Sequence, residues 1–107
     1  MKTDRELLEL AARAAGIGPV LRFEIEGLVI GPNSRPRYWM PFTDDGDALR
    51  LAIHLRIDIV FFNGFGEVGA AHCDGDFPQF NEDYSDDVSS STRRAIVRAA
   101  AAIGEAM

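Results

Sequence analysis

Apolar residues recur with the period of a helix in three stretches of the chain, and two stretches between them read as strand pairs. In the first helix Leu7, Leu10, Ala11 and Ala14 share a face, Thr3 and Glu6 have the spacing of a capping box, and Gly16 and Gly18-Pro19 end the pattern. In the second, Ala48, Leu51, Ala52 and Leu55 follow the i, i+3, i+4, i+7 rule, which predicts a core-facing stripe with Arg50, His54 and Arg56 on the other faces. The third begins near Ser91. It sets Ile96, Ala99, Ala100 and Ile103 on one stripe, with Arg94 and Arg98 opposite.

From Val20, Leu21, Phe23 and Ile25 alternate with Arg22, Glu24 and Glu26, the pattern of a half-buried strand, and Gly27 then breaks or bulges it. Leu28 to Ile30 is a short apolar run. The turn formers of GPNSRPR follow, so a strand pair with an irregular excursion is expected to end near Tyr38 and Trp39. After the second helix Ile57 to Phe62 is nearly all apolar. Asn63-Gly64 is the dipeptide of a tight type I′ turn, which predicts a hairpin returning from Glu67 to Cys73. Between Asp74 and Ser91 the composition shifts to Asp, Ser, Asn and Pro, and residues 74–90 read as an exposed acidic loop.

The predicted class is α+β, a small antiparallel sheet of three to four strands packed against three helices in the order α-β-β-α-β-β-α. With 107 residues and 47% hydrophobic content, residues 1–107 are expected to form a single domain around one core. No internal repeat is visible. Seventeen acids against eleven bases give a formal net charge of −6, which disfavours DNA, RNA and anionic membrane as partners. Such a surface would also suit a mimic that occupies a basic groove. Cys73 is the only cysteine; no internal disulfide can form, and a buried small hydrophobe in a reducing cytosol is expected. The opening MKTDRELLELAARAAG lacks the apolar core of a signal peptide, and no run approaches the roughly eighteen apolar residues of a membrane span. The expected location is the cytoplasm.

Candidate chemistry is sparse. There is no GxSxG, HExxH, CxxC pair or P-loop, GFGEVG lies on a hairpin, and His72 and Cys73 are adjacent on a strand and so point to opposite faces. No catalytic set, metal site or cofactor is therefore predicted. Asp44, Asp45 and Asp47, with Thr43, suit the first turn of the second helix, where carboxylates meet free N–H groups and the positive end of the dipole. Their spacing lacks the alternating ligands of a calcium loop. Arg93, Arg94 and Arg98 at the start of the last helix, with Arg35 and Arg37 in the excursion, form the only concentrated basic material. Arg94 and Arg98, a turn apart, could fork an anion or pair with the acids of the preceding loop. Tyr38, Trp39, Phe42, Phe77, Phe80 and Tyr84 lie in or beside loops, as aromatics of partner-binding surfaces do, although Trp39 beside Pro41 is expected to pack under the second helix.

The run WMPFTDDGDALRLA, followed by STRRAIVRAAAAIGEAM, resembles a group of small accessory proteins encoded by tailed bacteriophages and prophages of Gram-negative bacteria. The match centres on Trp39, Pro41, Asp44, Asp45, Gly46, Asp47, Ala48, Leu49 and Arg50. The resemblance implies a genetic context, an infected bacterial cytoplasm, rather than a mechanism. Two functions are expected in that setting. One is a non-enzymatic module that binds and modulates a host or phage protein, for instance in counter-defence, through candidates among Tyr38, Trp39, Asp44, Asp45, Asp47, Arg50, Arg93, Arg94 and Arg98. The other is a small-molecule or nucleotide binder in which the arginines meet phosphate and Trp39 or Tyr38 stacks on a base. An exposed edge strand in so small a sheet would favour a symmetric homodimer.

Overall fold

The computed structural model describes residues 1–24 and 27–107. Ile25 and Glu26, which the alternation assigns to the first strand, lie outside the described residues. The elements are α1 (Asp4–Ala15), β1 (Val20–Glu24), β2 (Gly27–Ile30), β3 (Arg37–Trp39), α2 (Asp45–Leu55), β4 (Ile57–Phe62), β5 (Glu67–His72), β6 (Phe80–Asp83) and α3 (Val88–Glu105). The class is α+β. Two antiparallel three-stranded meanders, β1-β2-β3 and β4-β5-β6, stand in place of a single sheet. Each follows a helix, so the chain runs helix then meander twice before α3 closes it, a repetition of topology that the residues do not echo.

The two strands beyond the predicted order have little apolar signal. β3 is only Arg37, Tyr38 and Trp39, paired so that Trp39 lies opposite Leu28. β6 lies within the stretch expected to be an exposed loop, and Phe80 is its single apolar residue. Its period of two is real, since Phe80 faces Ala70 and Glu82 faces Val68 across the ladder. The acidic stretch is thus an ordered edge strand flanked by loops, and α3 starts at Val88 rather than near Ser91, with Asp87 accepting from the Ser89 N–H at 3.0 Å. The turn after β4 also departs from its prediction. It takes four residues, Asn63 to Gly66, and the positive φ of 65° falls on Gly66, whereas a type I′ turn would place both Asn63 and Gly64 there. β1 ends before Gly27, which opens β2, and the irregularity in the β1–β2 register falls between Val20 and Arg22 instead of at the glycine. A Cβ there would sit 2.5 Å from the Met40 Cγ, so the absence of a side chain lets the segment after β3 pass close.

The helices are placed by their small residues. In α1 the Thr3 and Glu6 capping box forms, and the Thr3 backbone and side-chain donors hold the Glu6 carboxyl below its ordinary pKa. Its buried row is Leu8, Ala11 and Ala12, one row round the helix from the predicted face. In α2 Ala48, Leu51 and Ala52 are buried as predicted. α3 is enclosed over a wider arc than one stripe, from Ser91 through Ala95, Ile96, Val97, Ala99, Ala100 and Ala101 to Gly104, because it packs on α1, α2 and the second sheet together. The Asp4 carboxylate meets Arg94, and Arg13 donates to the Met107 carbonyl at 2.8 Å, so α1 and α3 run side by side in one direction. They come close at Gly104, where a Cβ would stand 1.9 Å from the Leu10 carbonyl oxygen. One buried cluster links Leu8, Leu28, Trp39, Leu51, Val68 and Val97 from both halves of the chain. No helix of the described residues is long and apolar enough to cross a membrane.

Gly104→Ala is expected to cost about 3 kcal/mol or more, since the added methyl can be admitted only by parting two helices. Gly64→Ala, with nothing within 4 Å of its Cβ position and no positive φ, is expected to change stability by less than about 0.5 kcal/mol. Urea unfolding of both variants checks the pair.

Candidate functional site

The predicted candidates around the start of α2 are occupied in building it. Asp44 is the N-cap and accepts from the Asp47 N–H at 2.8 Å. Asp47 in turn accepts from the Met40 N–H at 2.9 Å through Oδ2 and from Arg50 at 2.8 Å through Oδ1. This ties the Trp39-Met40-Pro41 segment to the helix it enters and holds Arg50 over the cap, 3.7 Å from Asp44. Asp45 pairs with Arg93. Among the described residues no three or more His, Cys, Asp or Glu side chains are grouped to hold a metal ion.

The arginines of α3 are not brought together on one ligand. Arg93, only 13% exposed, donates to the Phe42 carbonyl at 2.7 Å through Nε and lies 3.5 Å from Asp87 as well as against Asp45. Arg94 forks onto Asp4 at 3.0 and 3.1 Å and lies over the Phe42 ring. Arg98 pairs with Glu82 and lies over Phe80. Each guanidinium is matched by a carboxylate, and the three are shared out among β6, α1 and the loop before α2. A shallow cleft of about 430 Å³ beside Arg94 and Arg98 is also lined by Lys2, Glu82 and Glu105, and its basic side chains are each paired with an acid, Lys2 with Glu105, Arg98 with Glu82 and Arg94 with Asp4.

The loop aromatics do not make a common surface either. Trp39 is buried, and Phe42, Phe80 and Tyr84 pack against the core. Phe77 meets the His72 ring edge-on at 5.6 Å. Tyr38 alone of that set is largely exposed, on the outward side of β3, where its hydroxyl donates to Glu24 at 3.3 Å. Cys73, expected to be buried, is exposed just beyond β5. Next to it His72 Nδ1 lies 2.6 Å from Asp74, whose carboxyl is held below its usual range first by the Asp76 N–H and then by His72.

The apolar surface that is exposed lies elsewhere. Leu49 and Ile53, one turn apart on α2 and beside its buried row, are 55% and 57% exposed. With Ile59 and Phe61 of β4 and Val88 of α3 they border a groove between the three elements. One part of it, about 460 Å³, runs past Ala48, Leu49, Ile59, Phe61, Val88 and Ile96. A second part of about 370 Å³ shares Leu49 and Ile59 and continues past Ile53 to Arg56, Asp58 and Cys73. β4 pairs with β5 alone among the described residues, so the groove is flanked by an open strand edge. Val60, on the opposite face of β4, and Phe65, on the hairpin tip, are also exposed, Phe65 to 85%. The sequence held the signal. Leu49 and Ile53 widen the apolar arc of α2 beyond a single stripe, and IDIVFF is apolar in both phases of a strand.

No protein-family model, no curated protein and no solved structure matches this chain.

Asp47→Ala is expected to lower stability by about 1–3 kcal/mol, because the half-buried Met40 N–H loses its acceptor. Asp44→Ala should cost about 1 kcal/mol, as the loss of a helix cap does. Thermal and urea unfolding measure both, and a neutral Asp47→Ala would contradict the structural role given to that carboxylate.

Proposed function

We propose that the chain is a non-enzymatic protein-binding module that engages and modulates a host or phage protein through the groove between α2 and β4, in the cytoplasm of a bacterial host. The observation that supports this reading is the groove itself, apolar side chains beside an open strand edge. A polypeptide can satisfy both features at once, with its backbone meeting the edge and its side chains filling the groove. Small-molecule sites are instead enclosed and marked by a few convergent polar groups. The charged residues that would serve an anionic ligand are matched by acids within the molecule, and the net charge of −6 opposes a nucleic-acid partner. Leucine, isoleucine and phenylalanine side chains half exposed or more, on a surface otherwise rich in acids, have the composition of a contact patch with a polar rim. The resemblance to phage accessory proteins gives the setting, with counter-defence as one form the modulation would take.

The double substitution Leu49→Ser with Phe61→Ser tests the proposal. Both residues are about half exposed, so the fold should survive with a normal circular dichroism spectrum. Proteins retained from a bacterial lysate by the wild-type chain should fall at least about tenfold on the variant, as removal of central apolar anchors entails. An identical retained set would overturn the assignment of this face.

A further inference from the structure

On the reading that the face formed by α2 and β4 is a protein contact, we infer that its first occupant is a second copy of the same chain, with the two α2 helices antiparallel across a two-fold axis. The inference comes from the order of side chains along the exposed row of α2. Asp45, Leu49, Ile53 and Arg56 follow one another at intervals of four, four and three residues, so they line one side of the helix and its C-cap. The row has an acid at one end, a base at the other and two apolar residues of similar size between them. A two-fold axis through the middle of the helix puts Leu49 against Ile53 of the second copy and Asp45 against its Arg56, twice over. That is the self-complementarity an isologous interface needs: the same patch on both sides, with unlike charges meeting when the ends exchange.

Both charges can take part. Arg56 makes no ion pair among the described residues, and Asp45, although it holds Arg93 through one oxygen, keeps 72% of its side chain exposed. The antiparallel arrangement also sets the positive end of each helix dipole beside the negative end of the other. Size then brings in β4. α2 has 11 residues and is about 16 Å long, too little for the roughly 800 Å² per partner of a stable contact, so the contact extends over Ile59, Phe61 and the open edge of β4. Covering that edge removes the hazard of a long apolar strand whose one charge is Asp58. Copies that each carry −6 repel one another, which makes the Asp45 and Arg56 pairs the source of register and orientation.

Light scattering on a sizing column at about 100 μM is expected to give twice the chain mass for the wild type. Arg56→Asp, which the positive φ of 57° at that position tolerates, should weaken self-association at least tenfold, and Leu49→Asp should abolish it. A monomeric wild type, or a dimer indifferent to both Arg56→Asp and Leu49→Asp, overturns the inference. Failure of the broader reading looks different. A monomer that still loses foreign proteins on Leu49→Ser with Phe61→Ser sinks the second copy and leaves the binding module standing. A dimer disrupted by Leu49→Asp that retains no foreign protein supports the second copy and removes the host or phage partner.

Discussion

The approach of α3 to α1 at Gly104 is the constraint on which the rest of the structure depends. With the Gly104 Cα close against the Leu10 carbonyl, the helices lie nearer than leucine-to-leucine packing would permit. The alanines on either side, Ala11 and Ala12 in α1 and Ala100 and Ala101 in α3, keep that spacing along the shared length. Close spacing lets one helix serve several neighbours. Ile96 lines the groove with Ala48 and Leu49 of α2 and Ile59 of β4 while Ala95 and Ala99 remain covered, and one cluster joins residues of both meanders although their strands do not pair with each other. Larger residues on α3 would fill one interface at the expense of another.

Ion pairs finish what the small residues begin. Arg94 to Asp4, Arg98 to Glu82 and Arg93 to Asp45 and Asp87 bind α3 to α1, to β6, to the start of α2 and to its own cap. Taken singly, pairs at such exposure are worth little. Their effect is on geometry. Arg93 is mostly enclosed and also donates to the Phe42 carbonyl, so it fixes the angle between α2 and α3, and with it the mouth of the apolar groove. The residues that looked most available for an external ligand are those that shape the cleft beside them.

What the sequence made legible and what it concealed follow from the range of each interaction. The α2 stripe, the Thr3 and Glu6 box and the Asp44 cap depend on residues within four positions of one another, and the periodicity and cap rules recover them. β3 and β6 owe their existence to partners found only across the sheet, Leu28 for Trp39 and Ala70 for Phe80, and their own composition says loop. The buried row of α1 was misplaced by one position because alanines occupy several rows and only the approach of α3 chooses among them. The candidate site divides in the same way. Asp44, Asp45 and Asp47 were legible as helix-start residues. The packing of Trp39 under α2 was legible from its place beside Pro41, whereas the sharing of Arg93, Arg94 and Arg98 among Asp45, Asp87, Asp4 and Glu82, and the openness of Leu49 and Ile53, are facts of tertiary packing that spacing does not encode.

The position of α3 in the chain bears on how the protein comes into being. It is the element that covers the inner surface of the second meander while packing on α1 and α2, and it leaves the ribosome after every strand it covers. During synthesis at about 5–20 residues per second, the β4-β5 hairpin emerges with its apolar side unshielded by α3. The chain therefore cannot complete its interior progressively from its N-terminus. Its nascent form spends on the order of seconds with the second sheet open, a species whose exposed edge is suited to capture by a chaperone or by a neighbouring nascent chain of the same message.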